Sequence, residues 1–186
     1  MKYFTVTAVP LLGLAGCAVP VVAPPPLPPA VSAAPAPAAA PAGAWAWTAP
    51  MDTAAARLRS ALGGGADVSQ TTDQRLWVSL PGSETFAAGR SALKPRAGAW
   101  LDQVALALRE MPRAEVRIVG RPDATGGTTA LALDRAASAR DWMVMRGVPA
   151  YRFAVSALGP KDRSSGGPPD GRLDIVIGER AGTPAR

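Results

Sequence analysis

The chain contains no histidine. Ser-His-Asp and Cys-His catalysis are therefore excluded, as is histidine-ligated zinc. There is one cysteine, Cys17, so neither an internal disulfide nor a thiolate metal cluster can form. Acidic residues are in the minority, 14 against 20 Lys and Arg, which leaves a net charge of +6. A basic balance favours an anionic partner such as nucleic acid, anionic lipid or an acidic polymer. The arginines are scattered rather than interleaved with aromatics, so nucleic acid is not the expected partner. No motif singles out a carboxylate pair of the glycosidase kind. Gly126-Gly127-Thr128-Thr129 lacks the Gly-Lys-[Ser/Thr] ending of a phosphate-binding loop. The expectation is a protein that is not an enzyme and uses no metal or cofactor.

The N-terminus reads as an export signal. Lys2 supplies a positive start, and Tyr3 to Ala15 is an uncharged, mostly apolar run. A spanning helix needs about 20 apolar residues, so this run is too short for one. It ends in Leu14-Ala15-Gly16-Cys17, which resembles the bacterial lipobox, Leu-[Ala/Ser]-[Gly/Ala]-Cys. The resemblance implies cleavage after residue 16 and acylation of Cys17, which becomes the lipidated N-terminus. Lipidation accounts for an unpaired cysteine in an exported chain. Several acyl chains, each CH₂ contributing about 0.8 kcal/mol, give stable anchoring where one does not. Ala18 stands where Asp commonly marks inner-membrane retention, so the outer membrane is the expected address, with the domain in the periplasm.

From Ala18 to Pro50 there is no charged residue, and Pro and Ala dominate. Proline blocks helices and sheet ladders, and Ala offers little surface for a core. The expectation for residues 17–50 is a disordered, extended tether behind the lipidated cysteine, reaching up to roughly 100 Å at about 3.1 Å per residue. Trp45 and Trp47 close the segment, with docking on the domain and a membrane interface both open to them.

Charge returns at Asp52. Thr53 to Leu62 reads as a short helix capped by Asp52 and stopped by Gly63-Gly64-Gly65. Residues 51–73 are thus a helix and connector ahead of the main domain. Leu76, Val78 and Leu80 alternate as in a strand. Pro95 starts a helix to about Glu110, with Leu101, Val104, Ala105 and Leu108 on one face and Pro112 beyond its end. Val116 and Ile118 mark a second strand closed by Gly120. A helix follows from about Thr128 to Arg146, with Leu131, Ala136, Ala139 and Met143 inward and Gly147 at its stop. Phe153, Val155 and Ala157 mark a third strand, and Leu173, Ile175 and Ile177 a fourth. The order β-α-β-α-β-β predicts an α/β two-layer sandwich over about residues 74–180, with 181–186 a tail.

These residues carry a resemblance. Leu80-Pro81-Gly82, then Phe86, Gly89, Ala92, Leu93 and Pro95, resemble the opening of the OmpA-like C-terminal domain. Gly120-Arg121-Pro122-Asp123-Ala124-Thr125-Gly126 resembles that family's Gly-His-Thr-Asp-x-x-Gly. Leu131 to Arg146 resembles its second helix, with Arg135-Ala136 as the Arg-Ala pair. Gly147-Val148-Pro149 is similar to its Gly-[Ile/Val]-Pro link, and Arg172-Leu173-Asp174-Ile175 to the end of its Asn-Arg-Arg-Val-Glu-Ile. The departures are Arg121-Pro122 for His-Thr, Thr128 for an Asn before the helix, Ala87 for an Asp after the Phe, Gly171 for the first Arg of the pair, and a shortened loop from Gly126 to Leu131.

The resemblance implies an OmpA-like β-α-β-α-β-β fold in a Pal-like lipoprotein, and non-catalytic binding of peptidoglycan through the diaminopimelate of its stem peptide. Carried over residue by residue, the gripping groups are Asp123 and Arg135, with Thr125, Gly126, Thr128 and Arg172 around them. Diaminopimelate presents an amine and a carboxylate at its far end, which calls for an acid and a base at fixed separation. The planar fork of Arg matches carboxylate. For Arg135 a solvated position beside Asp134 or Asp141 is the simpler reading, and for Asp123 a turn residue. The expected whole is an outer-membrane lipoprotein with two attachments, the membrane through Cys17 and the cell wall through its domain. The alternative is an envelope scaffold that keeps the fold, binds a protein partner, and has weak or no affinity for peptidoglycan.

Overall fold

The computed structural model describes residues 43–124, 127–159 and 170–180. The export signal, Cys17, the tether up to residue 42, Thr125, Gly126, most of the loop before Asp170 and the tail at 181–186 lie outside the described residues.

Strand β1 is Trp45–Ala46, α1 is Ala49–Leu62, β2 is Asp67–Gln70, β3 is Leu76–Leu80, and α2 is the single turn Gly82–Thr85. Helix α3 is Pro95–Glu110, β4 is Glu115–Gly120, α4 is Thr129–Met145, β5 is Phe153–Ala157 and β6 is Leu173–Arg180. The expected β-α-β-α-β-β order is carried by β3, α3, β4, α4, β5 and β6; the helix expected ahead of it is α1, and β1, β2 and α2 are added.

The sheet runs β2-β3-β6-β4-β5, with β1 paired to the end of β6. The last strand in sequence is thus central, antiparallel to both β3 and β4, while β4 and β5 are parallel across α4. Register places apolar residues opposite one another on three strands. Leu76 and Val116 both face Ile177, Val78 and Ile118 both face Ile175, and Leu80 faces Leu173. This face meets Leu58 of α1, Leu101, Val104 and Leu108 of α3, and Ala136, Ala139 and Met143 of α4, all buried. Each large aliphatic side chain so placed contributes about 1.5–3 kcal/mol.

Local chemistry explains the ends. Pro95 occupies the first turn of α3, where its missing N–H costs nothing. Carbonyls at its C-terminus and in the turn that follows are covered by a distant residue, Arg152. The buried Arg152 guanidinium donates to the carbonyls of Leu108 at 2.9 Å, Met111 at 2.6 Å and Ala114 at 2.8 Å. A cation there complements the negative end of the helix. Burial pulls the guanidinium's pKa below its ordinary value.

Two expectations are corrected. Helix α1 begins at Ala49 rather than Thr53, with Thr48 rather than Asp52 at its N-cap. Pro50 fits its first turn, Asp52 lies inside that turn, and Met51 is buried in the core. The fold therefore starts before charge returns to the sequence. Leu131 is only half-buried, and Ala132 and Arg135 take the inward positions beside Ala136, Ala139 and Met143. The cause is Gly120: a β-carbon there would collide with the carbonyl of Ala132, so glycine lets α4 lie directly on the end of β4.

Trp45 and Trp47 dock on the domain. Trp47 packs against the core, and Trp45 lies against Gly178 with the guanidinium groups of Arg180 and Arg75 4.3 and 5.3 Å from its ring centre. Among the described residues no helix is long and apolar enough to cross a membrane.

Candidate functional site

The C-terminal end of β4 and the N-terminal end of β6 meet at one end of the sheet's inner strands. Arg121 N–H donates to the carbonyl of Arg172, extending the β4–β6 ladder past its last paired residues. Below them Asp174 is buried, accepting from Ser79 Oγ at 2.8 Å and from Arg121 Nε at 2.7 Å. Arg121, which departs from the family pattern, thus has a structural task here: it neutralises a carboxylate beneath the loop.

Beyond this ladder the chain turns through Pro122 and Asp123. Asp123 forms an isolated antiparallel bridge with Asp170, and Gly171 N–H donates to the carbonyl of Pro122 at 3.1 Å. Gly127 N–H donates to the carbonyl of Asp123 at 3.3 Å. Thr128 then caps α4, its hydroxyl accepting from Leu131 N–H at 3.1 Å.

From α4, Arg135 reaches back into this loop. Its Nη1 donates to Asp123 Oδ1 at 2.6 Å and its Nη2 to Asp123 Oδ2 at 2.9 Å, a bidentate pair. Its Nε donates to the carbonyl of Arg90 at 2.9 Å, and its guanidinium lies 4.9 Å from the centre of the Phe86 ring. The Arg135 side chain is 3% exposed, while that of Asp123 is 24% exposed. Neither Asp134 nor Asp141 pairs with it; Asp141 pairs with Arg140.

Asp123 and Arg135 line an open cleft of ≈ 380 Å³. Phe86, Ala88 and Ala124 give it an apolar side, and Lys94 and Asp170 add a second cation and a second anion. Lys94 Nζ donates to the carbonyl of Ser83 at 2.5 Å. Asp170 is held by Arg172, whose Nε and Nη2 approach its Oδ2 at 2.8 and 2.7 Å. A cleft with two charges of each sign around an apolar wall suits a small zwitterion rather than a simple anion.

The structure thus brings together two of the expected site residues, Asp123 and Arg135. Thr128 serves the helix end, and Arg172 does not line this cleft: it holds Asp170 from outside it and lines a separate cleft of ≈ 190 Å³ with Asp67 and Ser79. Thr125 and Gly126 lie outside the described residues. Lys94, Asp170 and Phe86 were not anticipated as cleft residues. Lys94 carried a faint signal, directly preceding the helix-starting Pro95. Asp170 carried none, because it reaches the cleft only through its bridge to Asp123. Among the described residues no group of His, Cys, Asp and Glu is arranged to hold a metal.

Comparison with known proteins bears on the fold. Residues 85–172 match the sequence profile of the OmpA family. Over 114 residues the chain is 33% identical to the probable lipoprotein YiaD of Escherichia coli (strain K12), a match covering 59% of this chain and 52% of that protein. The chain thus spans about half the length of this relative. Two solved structures share the fold. A putative MotB-like protein from Desulfovibrio vulgaris superposes with a TM-score of 0.61 at 16% identity, covering 70% of this chain and 92% of that one. The cell wall anchor of the T6SS from Pseudomonas aeruginosa does so with a TM-score of 0.54 at 19% identity, covering 62% of this chain and 89% of that one.

Proposed function

From the OmpA-like domain that this chain carries over residues 85–172, we propose that the protein binds peptidoglycan without catalysis and links it to a membrane. The ligand group is the free end of diaminopimelate in the stem peptide. The observation that carries this reading is the Asp123–Arg135 pair at the wall of an open cleft. The ligand ammonium takes the place of Arg135 on Asp123, and the ligand carboxylate takes the place of Asp123 on Arg135. The buried Arg135 and the part-buried Asp123 both stay compensated, which a ligand with only one charge does not achieve. The N-terminus of α4 adds positive potential near the loop, favouring the carboxylate.

Two relatives support the wider role. One is named a probable lipoprotein and the other a cell wall anchor. On this reading residues 1–16 are the export signal, Cys17 bears the lipid, the stretch to about residue 42 spans from the outer membrane, and the periplasmic domain holds the wall. Cys17→Ala should abolish palmitate incorporation; equal labelling of the variant contradicts the anchor.

The test is co-sedimentation of the protein with purified, insoluble peptidoglycan. Wild type should pellet, and Arg135→Ala should be retained roughly ten- to a hundred-fold less, as follows from losing a charge-assisted hydrogen bond of about 1.5–3 kcal/mol. Absence of wild-type pelleting contradicts the reading and favours a scaffold for an envelope protein partner.

A further inference from the structure

We infer that Lys94 is a second anion subsite of the cleft, and that it takes a carboxylate of a stem-peptide residue joined to diaminopimelate. The inference rests on the zwitterion-binding reading above and adds a contact to it. Four charged side chains border the cleft, and three of them are already compensated. Asp123 pairs with Arg135, and Asp170 pairs with Arg172. Lys94 is exposed, and among the described residues no acid pairs with it. Its Nζ donates to the neutral carbonyl of Ser83. An ammonium carries three N–H donors, so this bond leaves donors over for a ligand.

Phe86 ties this free charge to the Asp123–Arg135 pair. Leu93, next to Lys94, bridges Phe86, and Lys94 N–H donates to the carbonyl of Thr85 at 2.9 Å. The Arg135 guanidinium lies 4.9 Å from the centre of the same Phe86 ring. A ligand held by its free end at Asp123 and Arg135 thus has Phe86 and Lys94 along the wall of the cleft it leaves by. Diaminopimelate is joined to D-glutamate on one side and to D-alanine on the other. D-Glutamate linked through its side chain keeps an α-carboxylate, and a terminal D-alanine carries another. Either supplies the anion that the Lys94 charge lacks.

Local structure gives no other use for the charge. Lys94 is the N-cap of α3, makes no side-chain cap, and has no acid in the turn that follows. A cation at this end opposes the helix dipole. Replacing Lys94 by Met keeps the aliphatic stem and removes the charge, so the fold should melt as wild type does.

The experiment uses the full chain in detergent and four acetylated tetrapeptides, Ala-γ-D-Glu-diaminopimelate-D-Ala. One has both outer carboxylates free, one is amidated on D-Glu, one on D-Ala, and one on both; the free end of diaminopimelate is intact in all. Wild type, Lys94→Met and Lys94→Arg are compared by calorimetric titration and thermal melting. Lys94→Met should bind the unamidated peptide about two- to five-fold more weakly than wild type, the range of an exposed ion pair. It should bind the doubly amidated peptide as wild type does, and Lys94→Arg should keep wild-type affinity. The single amide that reproduces the loss in wild type identifies the carboxylate. Equal weakening of Lys94→Met on all four peptides marks a structural role and overturns the subsite, as does no weakening on any; both leave the zwitterion reading standing. Failure of wild type to bind any of the four overturns both.

Discussion

Arg135 and Asp123 stand twelve positions apart in sequence and are joined by two hydrogen bonds of 2.6 and 2.9 Å. One comes from the second turn of a helix and the other from a loop after a strand. The pair is at once a clamp between α4 and the loop after β4 and the wall of the cleft. Its two roles separate experimentally.

As a clamp, the pair should show strong energetic coupling. Asp123→Ala leaves the Arg135 guanidinium buried without a counter-charge, at a cost of about 3 kcal/mol. Arg135→Met with Asp123→Ala should cost less than the two single changes added together, with a coupling of about 1–3 kcal/mol. Urea unfolding of the four proteins measures this. Additive costs contradict the clamp.

How much of this was legible follows from where each signal resides. Helix α3 is framed by its own prolines, Pro95 and Pro112, so its limits are local information. The alternation at Leu76, Val78 and Leu80 is equally local. Strand β2 has no such signal, since Asp67-Val68-Ser69-Gln70 holds one apolar residue; it is a strand because it pairs along β3. The start of α1 was hidden because an uncharged, proline-rich stretch runs directly into it, and Pro50 reads as a breaker until its place in the first turn is known. Asp123 and Arg135 were legible through the resemblance of their motifs to the OmpA-like pattern rather than through any local signal of their own. Asp170 and Gly171 were not, because their neighbours at the cleft are remote in sequence and only the bridge between the two loops brings them there.

Trp45 marks where the chain first joins the domain. It pairs with Arg180, packs on Gly178 and has two guanidinium groups close to its ring. Trp45→Ala should lower stability by about 1–3 kcal/mol, combining lost aromatic burial with two cation–π contacts. Limited proteolysis should then cut near residues 45–48 before any site in the sheet. A cleavage pattern identical to wild type contradicts this docking.

Arg152 tests a different element. Its three carbonyl partners, Leu108 in α3 and Met111 and Ala114 just beyond it, accept from a single planar fork. Lys keeps the charge but not the fork. Arg152→Lys should therefore destabilise by about 2–3 kcal/mol, read by thermal melting. A melting curve superimposable on wild type shows that the carbonyls do not depend on the fork.

The central claim is that the cleft recognises an ammonium and a carboxylate together. The most direct measurement is titration of the wild-type protein with two stem peptides that differ only at diaminopimelate, one with the free terminal carboxylate and one with it amidated. The account predicts binding of the free form and at least about ten-fold weaker binding of the amidated one, because the amide leaves Arg135 without its anion. Equal affinity for the two peptides contradicts it.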